Sequence, residues 1–131
     1  MYLLDTNSVI YFFKGMGKVA ENLFSHTPKE IVIPTIVIYE LETGIAKSNA
    51  PEKRRAQLQL LLEQIEILHF GVEEAKAAAS VRASLEKCGM PIGPIDTLIA
   101  GCAKANRLTL VTRNIKEFQR VEGLDMVDWY S

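Results

Sequence analysis

Three carboxylates fall inside stretches that otherwise read as protein interior. Asp5 closes the run Met1-Tyr2-Leu3-Leu4, and Glu40 separates Ile36-Val37-Ile38-Tyr39 from Leu41. Asp96 stands between Pro94-Ile95 and Thr97-Leu98-Ile99-Ala100. A polar fourth position, Asn114, follows Leu108-Thr109-Leu110-Val111 after Thr112-Arg113. An isolated ion in an apolar medium is costly, so acids are almost never fully buried without a partner. A fold for this chain must therefore gather these segments around a shared cation or provide for each acid separately.

Each acid has a simple local alternative. Asp5 is followed by Thr6-Asn7-Ser8 and reads equally well as a helix N-cap. Asp96 lies in the first turn expected after Gly93-Pro94, where the helix dipole favours an acid by about 0.3–1 kcal/mol. Glu40 has Ile36, Val37, Thr43 and Gly44 one turn away, so its alternative is an ion pair with an interior arginine. Glu42 reads as the solvated acid on the outer face of that helix.

The rest of the pattern alternates strand and helix. Short runs apolar on both parities, at Met1–Leu4, Glu30–Ile33 and Thr109–Thr112, predict strands covered on both faces. Ile67–Phe70 and Met126–Trp129 are weaker strand candidates. Helices are expected over Val9–Lys14, Lys18–Phe24, Thr35 (as cap) to Ser48, from Pro51 through Leu58, Leu61, Leu62 and Ile65, over Val72–Lys87, from Pro94 to Asn106, and over Lys116–Arg120. This order predicts an α/β fold, a single domain over 1–131, with a mostly parallel sheet and helices on both faces. Ligand sites in such sheets gather at the carboxyl ends of the strands, where Asp5 and Asn114 are expected.

At 131 residues, with 48% apolar and 24% charged side chains, the chain has a globular composition. Fifteen basic and sixteen acidic residues nearly cancel. A polyanion would have to be held by a local basic patch or by metal ions. Cys88 and Cys102 make neither a disulfide framework nor a zinc pattern and read as buried thiols. No segment has the ~20 apolar residues of a membrane span, no secretory signal opens the chain, and a cytoplasmic location is expected.

Three carboxylates brought close together raise one another's pKa unless countercharge is present. Oxygen-only donors favour a hard divalent ion such as Mg²⁺ over zinc, and His26 and His69 stand alone. A metal ion on such a rim points to phosphate chemistry. No Walker-type phosphate loop is present, and no Ser/His/Asp or Cys/His arrangement stands out.

Four blocks in order, Leu3-Leu4-Asp5-Thr6-Asn7, Tyr39-Glu40-Leu41 with Gly44, Pro91 to Ala100, and Val111-Thr112-Arg113-Asn114 through Glu117-Phe118, resemble the PIN-domain ribonucleases. The likeness is greatest to VapC-type toxins of bacterial toxin–antitoxin pairs and runs from Leu3 to Asp128-Trp129. It implies a catalytic quartet at Asp5, Glu40, Asp96 and Asn114. Asp5, Glu40 and Asp96 would hold Mg²⁺ or Mn²⁺. Many family members carry Asp at the fourth place; here either Asn114 itself, through its carbonyl or a metal-bound water, or Glu117 three residues on completes the site. Thr6, Asn7 and Thr112 match supporting positions.

The activity implied is metal-dependent cleavage of structured RNA, with tRNA the leading substrate, leaving 5′-phosphate and 3′-hydroxyl ends. Lys14, Lys47, Arg113, Lys116 and Arg120 are candidate RNA contacts. A VapB-like antitoxin and a homodimer are implied as partners. Three other readings stay open: a PIN fold kept only for binding, a haloacid-dehalogenase-like phosphatase using Asp5, and a receiver-type signalling domain. The last two lack the second acid expected after the first strand.

Overall fold

The computed structural model describes residues 1–131. Five strands form one sheet: β1 (Tyr2–Leu4), β2 (Ile31–Pro34), β3 (Glu66–Leu68), β4 (Thr109–Val111) and β5 (Met126–Val127), in the order β3-β2-β1-β4-β5. Every pairing is parallel, including the edge strand β5, so the sheet is wholly rather than mostly parallel. Leu3 and Leu4 are both fully buried, as are Ile31 and Ile33 with Val32 nearly so. Neighbouring residues in a strand point to opposite faces, so both faces of the central strands are covered.

The covering helices are α1 (Thr6–Lys14), α2 (Val19–Phe24), α3 (Thr35–Ala46), α4 (Pro51–Leu62), α5 (Val72–Lys87), α6 (Pro94–Ala105) and α7 (Ile115–Phe118). One of them, α5, follows the sequence reading to the residue, and α6 starts as expected with Pro94 at its first position and ends one residue early, at Ala105. Gly15 ends α1 in the left-handed conformation at φ 65°, its amide donating to the Phe12 and Tyr11 carbonyls. Several other boundaries differ by a few residues, those of α3 and β3 for visible reasons. Pro34, in an extended conformation, takes the N-cap place of α3, and Thr35 is already helical. The freed Thr35 hydroxyl accepts the Phe70 N–H at 3.3 Å instead. β3 begins one residue earlier than expected because Val32 to Pro34 fix its register at Glu66 to Leu68.

Cys102 is buried in α6, but Cys88 is exposed at the C-cap of α5, which corrects the expectation of two interior thiols. Its helix stretch is apolar only along the stripe Ala78, Val81 and Leu85, and Cys88 lies past the end of that stripe. No helix is long and apolar enough to cross a membrane.

The chain order places the site. It runs from β1 outward to β2 and β3, then returns to add β4 on the opposite side of β1. The connections leaving β1 and β4 therefore part in opposite directions, opening the crevice in which α/β sheets hold ligands. Asp5 follows β1 at that crevice, and Thr112 to Asn114 follow β4 beside it. Leu4 pairs with Val111, and the Asp5 amide donates to the Val111 carbonyl at 3.2 Å.

Candidate active site

Asp5 is both an N-cap and a member of the cluster. One carboxylate oxygen accepts the Ser8 amide at 2.9 Å, the capping bond expected of it. The Ser8 hydroxyl donates to the Val111 carbonyl at 3.1 Å, fastening the start of α1 to the end of β4. Asp5 is only 6% exposed. Burial pushes its carboxyl above the usual range, opposed by hydrogen bonds from Thr112 and Ser8 and reinforced by the charge of Glu40.

Glu40 reaches the same rim from α3. Its Oε1 accepts a hydrogen bond from the Thr6 hydroxyl, joining two segments 34 residues apart. No basic side chain pairs with it, so the interior-arginine alternative does not apply. Glu42, two residues on, is exposed as its position predicted, and lies 3.8 Å from Arg55.

Asp96 is the third residue of α6 and accepts no hydrogen bond from the chain. Half-buried, its carboxyl is pushed up to about 6, first by desolvation and then by the charges of Asp5, Glu117 and Glu40. Asp5 before α1, Glu40 of α3 and Glu117 of α7 thus all bear on the Asp96 carboxyl of α6. No salt bridge neutralises any of them.

Asn114 and Glu117 act as a unit. The Asn114 side-chain amide donates to Glu117 Oε2 at 2.9 Å, and its backbone amide donates to the Thr112 hydroxyl at 3.0 Å. Thr112 is fully buried and bridges this loop to Asp5. The Asn114 amide thus orients the Glu117 carboxylate, whose charge bears on Asp96. Asn7 is exposed and makes no side-chain hydrogen bond.

The basic candidates divide. Lys47 and Lys116 are exposed and form no salt bridge. Arg113 is exposed with its guanidinium 3.6 Å from the Tyr130 ring centroid and 5.9 Å from that of Tyr11. It makes no salt bridge or hydrogen bond, so its N–H edge is free while its face is stacked. Lys14 lies near Glu40 in a shared cavity with Arg54, a residue absent from the sequence candidates. Arg54 sits on a polar stretch of α4 and carries no local signal that would single it out.

The donor set consists of carboxylates, hydroxyls and an amide. No three His, Cys, Asp or Glu side chains close into a ready-made cage. Mg²⁺ needs none, since it typically takes one or two carboxylates and keeps several waters. Unpaired mutual repulsion with oxygen-only donors fits a hydrated hard cation.

The PIN domain matches residues 2–124 of the chain, which gives the class of this fold and its acidic rim. Among known proteins, the tRNA(fMet)-specific endonuclease VapC of Salmonella typhimurium is 34% identical over 128 residues, covering 98% of this chain and 97% of that protein. Ribonuclease VapC2 of Rickettsia felis is 34% identical over 137 residues, covering 98% of each. The structure of DNA-bound VapBC from Salmonella typhimurium superposes with a TM-score of 0.91 at 34% identity, over 98% of this chain and 97% of that one. VapBC2 from Rickettsia felis, bound to a DNA fragment from its promoter, gives 0.89 at 36% identity over 98% of each chain. The chain belongs to the VapC family of PIN-domain proteins, as its four sequence blocks anticipated, and the phosphatase and receiver readings fall away.

Proposed function

We propose that this protein is a metal-dependent endoribonuclease, the toxin half of a toxin–antitoxin pair, and that it cleaves structured RNA, with tRNA the first substrate to test. The observation that carries this reading is the unneutralised convergence of Asp5, Glu40, Asp96 and Glu117 at the β1/β4 crevice, in a chain 34% identical to named ribonucleases. Asp5, Glu40 and Asp96 would hold one or two Mg²⁺ ions, with Mn²⁺ able to stand in. When bound, such an ion supplies Lewis acidity at a phosphodiester and makes a water more acidic.

The chain's own groups keep that rim in shape. Thr6 fixes the carboxylate of Glu40, the Ser8 amide and Thr112 fix Asp5, and Asn114 fixes Glu117. These bonds set the acids in place before substrate arrives, the kind of preorganisation that electrostatic catalysis depends on. Cleavage leaves 5′-phosphate and 3′-hydroxyl ends. A VapB-like antitoxin and pairing into a homodimer complete the proposed assembly. The test is direct: purified protein should cut RNA with Mg²⁺ and stop in chelator. Protein that binds RNA but never turns it over would instead be a PIN fold kept for binding.

Arg113 is the best-presented phosphate contact outside the cluster. Replacing Arg113 with Ala should weaken RNA binding and flatten the dependence of log affinity on log salt by about 0.7–0.9, the loss of one phosphate contact. Fluorescence anisotropy of labelled RNA at several salt concentrations measures both. An unchanged slope would remove Arg113 from the binding surface.

A further inference from the structure

A cavity of about 260 Å³ opens beside Glu40, between α1, α3 and α4. Its floor is apolar, from Ile10 and Phe13 of α1 and from Leu41 and Ile45 of α3. Its rim carries Lys14, Arg54 and Ser48. Neither cation forms a salt bridge, and the only polar contact of Arg54 is a long one, 3.5 Å to Gln57. Two unpaired cations around one hole are notable in a chain of net charge −1. The one acid in the lining, Glu40, is turned to the catalytic rim by Thr6.

Gly44 keeps the cavity open. It lies one turn after Glu40 on the same face of α3, and a Cβ built there meets nothing within 4 Å. Ile10 and Lys14 stand in the same relation on α1, so apolar floor and basic rim follow one another along that wall.

We propose that this cavity is a nucleotide subsite, which seats one nucleotide of the RNA next to the cleaved linkage. The base packs on the apolar floor against Phe13, and its phosphate meets Lys14 and Arg54. Stacking on an aromatic ring tolerates any base, while cations fix the backbone. The volume falls below the roughly 300–1,000 Å³ of pockets for larger ligands, which suits a single base. Sharing Glu40 places this nucleotide directly beside the acids. The proposal rests on the ribonuclease reading and adds where the substrate chain runs.

The test fills the cavity without touching the acids. Gly44→Leu should raise KM for an RNA hairpin about tenfold with kcat within about twofold of wild type. Shortening the RNA one nucleotide at a time from each side of the cut should reach a length at which wild type and variant coincide. In a separate arm, a fluorescein-labelled hairpin is titrated onto Asp96→Asn protein, which needs no turnover. There, adding Lys14→Ala and Arg54→Ala should lower the salt slope by about 0.7 per phosphate released. Gly44→Leu protein with wild-type melting temperature and unchanged KM and affinity would overturn the proposal. So would a variant that keeps RNA affinity but loses a protein inhibitor, since the cavity would then belong to that partner. Wild-type protein that binds RNA through Lys14 and Arg54 yet never cuts it would defeat the ribonuclease reading while leaving the subsite in place.

Discussion

Asp96→Asn should abolish RNA cleavage and, at the same time, make the metal-free protein more stable. The two effects share one cause. Asp96 is held among the charges of Asp5, Glu117 and Glu40 with no cation beside it, and its carboxyl is pushed from 3.8 up to about 6. A raised acid favours the folded state fully below its unfolded pKa and loses that advantage as pH rises through the folded value. Above pH 6 the wild-type protein therefore carries a charge it would rather not have. A rise of about two units has a ceiling of ~3 kcal/mol. Half-exposure and solvent screening bring the expected gain of the neutral variant at pH 7.5 to about 1–2 kcal/mol.

The gain should shrink as pH falls from 6 and disappear by pH 4, where wild-type Asp96 is itself neutral. Mg²⁺ should raise the melting temperature of wild type and leave that of the variant nearly unmoved. Cleavage should fall by about 10²–10³-fold, the scale on which a single preorganised electrostatic group acts. Denaturant melts at several pH values, with and without Mg²⁺, and a gel assay of RNA cleavage measure all of this. A variant that still cuts RNA within tenfold of wild type would take Asp96 out of the site. One less stable than wild type at pH 7.5 would show that no repulsion exists to relieve.

Local pattern carried much of this architecture, and its failures are local too. Val72 to Lys87 and Pro94 to Ala105 were readable because stripe, cap and stop agree. Thr35 was misread as a cap because residue preference cannot see that Pro34 is already extended and that Phe70 needs an acceptor. The three acids announced themselves by breaking apolar runs. Their convergence did not follow from any one segment, because it depends on β4 returning to the side of β1 opposite β2. Glu117 could be proposed from its spacing to Asn114, but its repulsion of Asp96 is a matter of three-dimensional distance. Arg54 and the Tyr130 face under Arg113 left no trace in the sequence, since both contacts join segments remote in the chain.

Gly101 should prove, with Gly17, one of the two least replaceable glycines, and at Gly101 the reason ties stability to the site. A Cβ built on Gly101 would lie 2.6 Å from the Ala78 Cβ and 2.7 Å from the Ala78 Cα and N, so α6 touches the backbone of α5 itself. Backbone cannot rotate aside as a long side chain can. Gly101→Ala gains about 1 kcal/mol in helix propensity but meets an overpacking cost of ~1–3 kcal/mol or more, and with backbone as the obstacle the upper end applies. The net expectation is a loss of about 2 kcal/mol. Gly101→Leu should exceed 5 kcal/mol and leave little folded protein, given the 5–15 kcal/mol that stabilises a typical domain. Because α6 also carries Asp96, whatever Gly101→Ala protein folds should cut RNA poorly as its helix is pushed away from α5. The same exchange at Gly44, whose Cβ meets nothing, should stabilise by about 0.5–1 kcal/mol. Urea midpoints for Gly101→Ala and Gly44→Ala should therefore move in opposite directions. If both rise, the close crossing of α5 and α6 is not what fixes Asp96 at the rim.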